Sequence, residues 1–295
     1  MRVMLATDGS PGALTATHLV ASLTWPSGTE VDVTAVTDTN ALLPMPLMAV
    51  PGDTQPLADA VRDMERAAAT DAAAQLGQHG LSTIVTMAMG RPSDAVLDRA
   101  TDTQVDLIVC GSRGRGPFAS LLLGSVSAEI SDRARCPVLV ARHARVTRIL
   151  LAHDGSGPAR AAEEFIADCR AFQGIPVVIV SAVPHDGEWG LDPQVMALRE
   201  IADGMEASGR AARERLAQVQ SEAADRLRVD GREVTAVIRD GSPAGVILDE
   251  ATRCGADLIA MGTHARRGLD RILPGSVCRK VLLHAGASVL VAPGP

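Results

Sequence analysis

At 295 residues the chain has room for two domains of ordinary size, each able to bury a core. Its 46% hydrophobic and 21% charged residues suit a globular protein, and a net charge of −7 argues against a general nucleic-acid or anionic-membrane binder. Lys280 is the only lysine among 28 basic residues and tyrosine is absent, which excludes a tyrosine base and a P-loop lysine, so any anion site must come from backbone N–H groups and placed arginines.

In chain order, Val3 to Ala6 reads as a buried strand, and Asp8-Gly-Ser-Pro opens a helix running to about Leu23. Val31 to Val36 is a second strand. The Pro-rich stretch 44–56 reads as a surface loop, followed by a helix over Leu57–His79 and a strand over Thr83–Met89. Pro92 to Thr101 is a short helix with proline in its first turn. A strand at Asp106–Cys110, a helix at Ser125–Arg133 and a strand at Val138–Ala141 complete the half.

That order then repeats. Val3-Met-Leu-Ala-Thr-Asp-Gly-Ser10 returns as Ile149-Leu-Leu-Ala-His-Asp-Gly-Ser156. Asp106-Leu-Ile returns as Asp257-Leu-Ile, Gly124-Ser125 as Gly275-Ser276, and Val138-Leu-Val-Ala141 as Val289-Leu-Val-Ala292. The second half carries a longer helical stretch, 193–228. Short apolar strands alternating with helices predict an α/β fold: two tandem doubly wound parallel-sheet domains, 1–143 and 147–295, with ligands at the carboxyl ends of the strands. The connection at 142–147 is too short for a free spacer, so the domains are expected to pack on each other.

Five cysteines, an odd number with no Cys-x-x-Cys pair, argue against a disulfide framework and a zinc site. The first residues run straight into a strand without the shape of a signal peptide, and no apolar run has transmembrane length. A cytoplasmic location is the expectation.

The strongest chemical signal follows the strand ending at Cys110: Gly111-Ser112-Arg113-Gly114-Arg115-Gly116, then Gly124-Ser125-Val126-Ser127. Glycine beyond a strand permits positive φ and close backbone approach to a ligand. Gly124-Ser125 starts a helix whose free N–H groups and positive dipole end suit a phosphate. Ser125 and Ser127 offer hydroxyl donors, and Arg113 and Arg115 supply charge. The competing reading is a glycine-rich connection with a capped helix and no ligand. No Gly-Lys-Ser/Thr occurs, so this is not a Walker A loop. The turn after the first strand, Asp8-Gly-Ser-Pro-Gly, is not a Rossmann fingerprint.

Residues 111–125 match the Gly-x2-Gly-x9-Gly-Ser/Thr signature of the universal stress protein family, and the whole chain resembles a tandem member of it. The resemblance implies a five-stranded parallel sheet in each half, an adenine nucleotide alpha hydrolase-like architecture, and ATP across the strand ends. It implies that Ala6, Thr7, Asp8 and Val36 lie beside the nucleoside and that Gly90 and Arg91 edge the pocket. Gly111, Arg113, Gly114, Gly124, Ser125 and Val126 would hold ribose and phosphates. Asp8 would either cap its helix or stand near a nucleotide-bound Mg²⁺, or do both. The family's last strand commonly pairs across a dimer, which implies homo-oligomers and pairing of the two halves of this chain through 138–141 and 289–292.

The second half departs from the pattern. It reads Gly262-Thr263-His264-Ala265-Arg266-Arg267, and Ala265 stands at the middle glycine. The corresponding site would be Ala152, His153, Asp154 and Val183, with Gly262 to Arg266 and Gly275, Ser276 and Val277, less secure than the first. Adjacent His153 and Asp154 diverge at a strand end and make a poor catalytic dyad. No general base is evident for hydrolysis, so a nucleotide-dependent regulatory protein leads. A slow ATPase, or a scaffold that keeps nucleotide in one half, remains open.

Overall fold

The computed structural model describes residues 1–38, 55–114, 123–184, 199–228, 231–263 and 276–294, and over helical residues 55–58 and 199–206 the backbone alone. The chain divides into two compact units, Met1–Val146 with Ser288–Leu290, and Thr147–Ala287 with Val291–Pro295.

The first unit contains β1 (Arg2–Ala6), α1 (Pro11–Ser22), β2 (Glu30–Asp38), α2 (Gln55–Gln78), β3 (Ser82–Gly90), α3 (Pro92–Asp102), β4 (Leu107–Gly111), α4 (Ser125–Arg133) and β5 (Val138–Ala141). Its strands lie in the order β3-β2-β1-β4-β5. Each pair from β3 to β5 runs parallel, with Val3 opposite both Val31 and Leu107. Every residue of β4 and β5 is buried, as expected of parallel strands covered on both faces. The helices supply the cover: α2 turns Ala69, Ala72, Ala73 and Leu76 inward at helical spacing.

The second unit contains β6 (Ile149–Ala152), α5 (Gly157–Asp168), β7 (Val177–Val183), α6 (Arg199–Leu227), β8 (Val234–Asp240), α7 (Pro243–Cys254), β9 (Leu258–Thr263), α8 (Ser276–His284) and β10 (Ser288–Pro293). Its order is β8-β7-β6-β9-β10, and β6 runs parallel to both β7 and β9. On α6, Leu216, Gln220, Ala223, Ala224 and Leu227 form the buried stripe. Gly255, at φ 66°, ends α7 in the left-handed conformation.

The repeated motifs have matching structural roles. In the first unit Asp106 Oδ2 accepts the Arg2 N–H at 2.7 Å. In the second, Asp257 Oδ1 accepts those of Thr147 at 2.9 Å and Arg148 at 3.1 Å. Ser10 caps α1 by accepting the Ala13 N–H, and Ser156 caps α5 by accepting that of Ala159. Proline follows each cap within the first turn, where its missing N–H costs nothing. Ser10 Oγ also donates to the Arg113 carbonyl at 3.1 Å, so it fastens the turn after β1 to the loop after β4. Ser10→Ala is expected to destabilise the first unit by about 1 kcal/mol or more, read as a lower Tm by calorimetry. An unchanged Tm would show that neither bond contributes.

Candidate functional site

In each unit the strand order reverses direction at the central strand, which leaves a crevice at the carboxyl ends of β1 and β4, and of β6 and β9. The first-unit crevice is built largely from backbone. Thr7 N–H donates to the Thr34 carbonyl at 2.9 Å and continues the ladder past β1. Gly9 then turns at φ 71°. Asp8 Oδ1 accepts the Ser10 N–H at 2.9 Å, and Thr7 Oγ1 accepts the Gly9 N–H at 3.3 Å. The carboxylate is thus held at the mouth by its own turn.

Across the crevice, Ser112 N–H donates to the Ala141 carbonyl at 3.1 Å, and Gly124 N–H donates to the Ser112 carbonyl at 2.8 Å. Gly124 is the N-cap of α4, has no side-chain cap, and no acidic residue stands in the helix's first turn. That end of the helix therefore keeps its positive partial charge facing the loop. A Cβ placed on Gly114 would lie 2.7 Å from Asp8 Oδ2, so the two loops approach to within a side chain's thickness.

Two sequence expectations need correction. Positive φ is one of the two reasons, with close backbone approach, that the sequence offers for the motif glycines, yet Gly111, Gly114 and Gly124 are not among the glycines with positive φ. Gly111 is small because α1 packs onto it: its Cβ would meet the Gly12 carbonyl carbon at 2.4 Å and Ala13 N at 2.7 Å. Ser127 was expected to donate to phosphate. Its hydroxyl is buried and donates instead to the Gly111 carbonyl at 2.6 Å, and a hydroxyl has one proton to give.

The other expected residues fall as follows. Ala6, at the end of β1, and Val36, within β2 two residues before its end, are half-buried, and Thr7 and Ser112 are buried. Arg113 and Ser125 are exposed and Val126 is half-buried. Gly90 turns at φ 127°, and Arg91 Nη2 is paired with Glu129 Oε1 on α4 at 2.6 Å, which ties the pocket edge to that helix. Arg115 and Gly116 lie outside the described residues, as do 44–54 of the expected surface loop; 55 and 56 already belong to α2. No group of three metal-ligating side chains occurs among the described residues.

The second-unit crevice repeats the turn with one change of chemistry. Asp154 Oδ1 accepts the Ser156 N–H at 2.9 Å, and Gly155 turns at φ 83°. Burial works to raise the Asp154 carboxyl, but the hydroxyl and N–H of Ser156 outweigh it and hold it below the usual range. Ala152, Val183 and Thr263 are buried, Gly262 and Val277 half-buried, and Ser276 exposed. His264, Ala265, Arg266 and Gly275 lie outside the described residues. The His153 side chain is wholly buried, with Nε2 3.0 Å from Glu163 Oε2. Arg226 on α6 closes on the same carboxylate through Nε and Nη2. Burial alone would raise Glu163, but hydrogen bonds from His153 and Arg226, and the charge of Arg226, hold its pKa down to about 2.

Sequence reasoning missed this network and also Arg142. Arg142 follows Ala141, whose neighbour in register is Gly111. Burial, and then the nearby positive charge of Arg113, lower its pKa. A basic residue directly after a wholly apolar strand was the available signal. Beneath the loop, burial pushes the Cys110 thiol up to about 11, which leaves it unreactive at neutral pH.

The family model described as the universal stress protein family matches the chain twice, over residues 1–142 and 145–293. A universal stress protein of Mycobacterium tuberculosis strain H37Rv is 31% identical over 199 residues, covering 64% of this chain and 62% of that protein. Another, from Mycolicibacterium smegmatis, is 28% identical over 220 residues, covering 72% and 69%. The chain thus spans less than two thirds of the length of the mycobacterial relative with the higher identity. Among solved structures, that of a universal stress protein from Archaeoglobus fulgidus superposes with a TM-score of 0.65 at 21% identity, covering 99% of this chain and 98% of that one. At that identity the likeness shows the fold. No helix among the described residues is long and apolar enough to cross a membrane.

Proposed function

Because this chain belongs to the universal stress protein family in both halves, we propose that its first unit binds ATP at the carboxyl ends of β1 and β4, and that the protein works as a nucleotide-dependent regulator in a stress response. The observation that carries the reading is the fit of Gly114 against Asp8. A bare backbone at that position, facing a carboxylate across the crevice and beside an uncapped α4 N-terminus, leaves room for a phosphate chain where any side chain would intrude. In this reading Ala6, Thr7 and Val36 border the nucleoside, while Ser125 and Val126 offer N–H groups to phosphate and Gly124, its own N–H held by the Ser112 carbonyl, leaves room for it. Arg113 and Arg142 offset its charge. A triphosphate brings Mg²⁺ that neutralises part of that charge, with Asp8 the carboxylate beside it. ATP acts as a ligand that biases conformation rather than as fuel. The reading extends to domains 1–143 and 147–295, a cytoplasmic site of action and homodimers.

The test is the nucleotide carried by freshly purified protein, released by acid and identified by chromatography. About one ATP per chain is expected from the first unit, and about two if the second unit also binds. Gly114→Val should empty the first site while the unit stays folded, because its nearest obstacle is the end of a movable side chain. Absence of adenine nucleotide from wild type, together with no rise of Tm on adding ATP, would leave a scaffold.

A further inference from the structure

The two units fix the same turn with different acceptors. In the first, the Gly9 N–H donates to the Thr7 hydroxyl at 3.3 Å. In the second, the Gly155 N–H donates to His153 Nδ1 at 3.1 Å. Thr7 and His153 occupy the same place in the repeat, directly before Asp8 and Asp154. A hydroxyl oxygen accepts at any pH in which the protein is folded. An imidazole nitrogen accepts only while it carries no proton.

The hydrogen bonds assign the tautomer. Nδ1 accepts from Gly155, so the single proton of the neutral ring is on Nε2 and is donated to Glu163 Oε2 at 3.0 Å. The surroundings hold the ring in that orientation. Its side chain is wholly buried, the Glu163 carboxylate is clamped by Arg226, and the His153 carbonyl accepts the Ser181 hydroxyl at 2.5 Å. Gln220 in turn donates to that hydroxyl at 2.9 Å and to the Val237 carbonyl at 2.7 Å. The charged groups facing this cluster are Glu163 and Glu164 on α5, Arg226 and Glu222 on α6, and Asp154 beside the ring in sequence. From β7 the facing group is the neutral Ser181.

We propose that His153 is the positioning residue of the second unit's crevice, and that its protonation at Nδ1 releases the Asp154–Gly155–Ser156 turn, making nucleotide affinity in the second unit acid-sensitive while the first unit's turn, held by Thr7, is not. Protonation replaces an acceptor with a donor, so two N–H groups confront each other where one hydrogen bond stood. Gly155 must then move, and it carries Asp154 and the Ser156 cap of α5 with it. The chain thus contains its own reference: one site whose geometry ignores pH and one whose geometry follows it. The part about affinity rests on the nucleotide reading above; the part about the turn does not.

The experiment follows the amide signals of Gly155 and Gly9, with the ring signals of His153, by NMR in the nucleotide-free chain as the pH is lowered stepwise. Gly155 is expected to shift along one sigmoid whose midpoint is that of the His153 ring, while Gly9 stays still. In parallel, ATP affinity of the second unit, measured in Gly114→Val, should weaken about tenfold across the same midpoint, the worth of one hydrogen bond. His153→Asn, which places an amide oxygen near Nδ1, should abolish both responses; His153→Thr, which copies the first unit, serves if the asparagine variant does not fold. A Gly155 signal that ignores the ring's titration, or that still moves in the variant, overturns the switch. An intact Gly155 titration with no ATP bound at any pH overturns the nucleotide reading instead, and with it the claim on affinity.

Discussion

Glu163→Ala is expected to lower the stability of the second unit by about 3 kcal/mol and to reduce its sensitivity to strong acid. The carboxylate is fully buried and holds two partners at once, His153 through Oε2 and Arg226 through both oxygens. Removing it leaves the buried Nε2–H of His153 without an acceptor and leaves a cavity under β6, two of the costly mechanisms of point mutation. Linkage gives a similar size, since the carboxyl moves from its ordinary 4.5 down to about 2 on folding. The sign follows from that direction. A depressed carboxyl contributes its full stability above about pH 4.5 and loses it as the pH falls toward 2. Wild type should therefore lose second-unit stability steeply over that interval, and the alanine variant should lose much less. Calorimetry at pH 7 and at pH 3 reads both effects. The corresponding position of the first unit is Thr17, whose hydroxyl merely returns to the Ala13 carbonyl at 3.0 Å, so the first unit's transition is the control. A variant that melts with wild type at pH 7 would show the network to be neutral.

The repeat made the architecture readable. Asp-Gly-Ser after an apolar run, and later Asp-Leu-Ile, recur in order because each performs a backbone task. Asp8 and Asp154 close their turns, and Asp106 and Asp257 accept N–H groups at the start of the sheet. Strand ends were less legible. The apolar core of β2 ends at Val36, but the ladder continues through Thr37 and Asp38, paired with Met89 and Gly90, because hydrogen bonding does not require apolar side chains. In the site, residue types were readable and their reasons were not. Gly111 and Ser127 look like ligand residues in a linear motif, yet one makes room for α1 and the other fastens α4 to β4. The His153 network escaped reading altogether. Glu163 and Arg226 are far apart in sequence, and each fits the polar pattern of an amphipathic helix until the fold brings both beneath one histidine.

Gly262→Ala should damage the second unit more than any other single methyl group added at the motif glycines, and Gly111→Ala should do the same in the first. A Cβ at 262 would stand 2.0 Å from the carbonyl carbon of Pro158, 2.1 Å from its oxygen and 2.5 Å from Ala159 N. At 111 the obstacles are the carbonyl carbon and oxygen of Gly12, at 2.4 and 2.6 Å. In both cases the obstacle is backbone in the first turn of a helix that covers the sheet, so relief requires moving the helix rather than rotating a side chain. Overpacking of this kind costs about 3 kcal/mol or more when no side chain can yield. The first turn of α1 carries Ser10, and through it the bond to Arg113, so displacement of the helix also opens the crevice. Three alanine variants then separate packing from ligand. Gly111→Ala should lose both first-unit stability and bound nucleotide; Gly262→Ala should lose second-unit stability and leave first-site nucleotide in place. Gly114→Ala, whose methyl group meets only the end of the Asp8 side chain, should keep its Tm and lose nucleotide. Normal melting of Gly111→Ala would mean that α1 does not rest on β4 as closely as its two facing glycines allow, and the motif's first glycine would then have to be explained by the ligand after all.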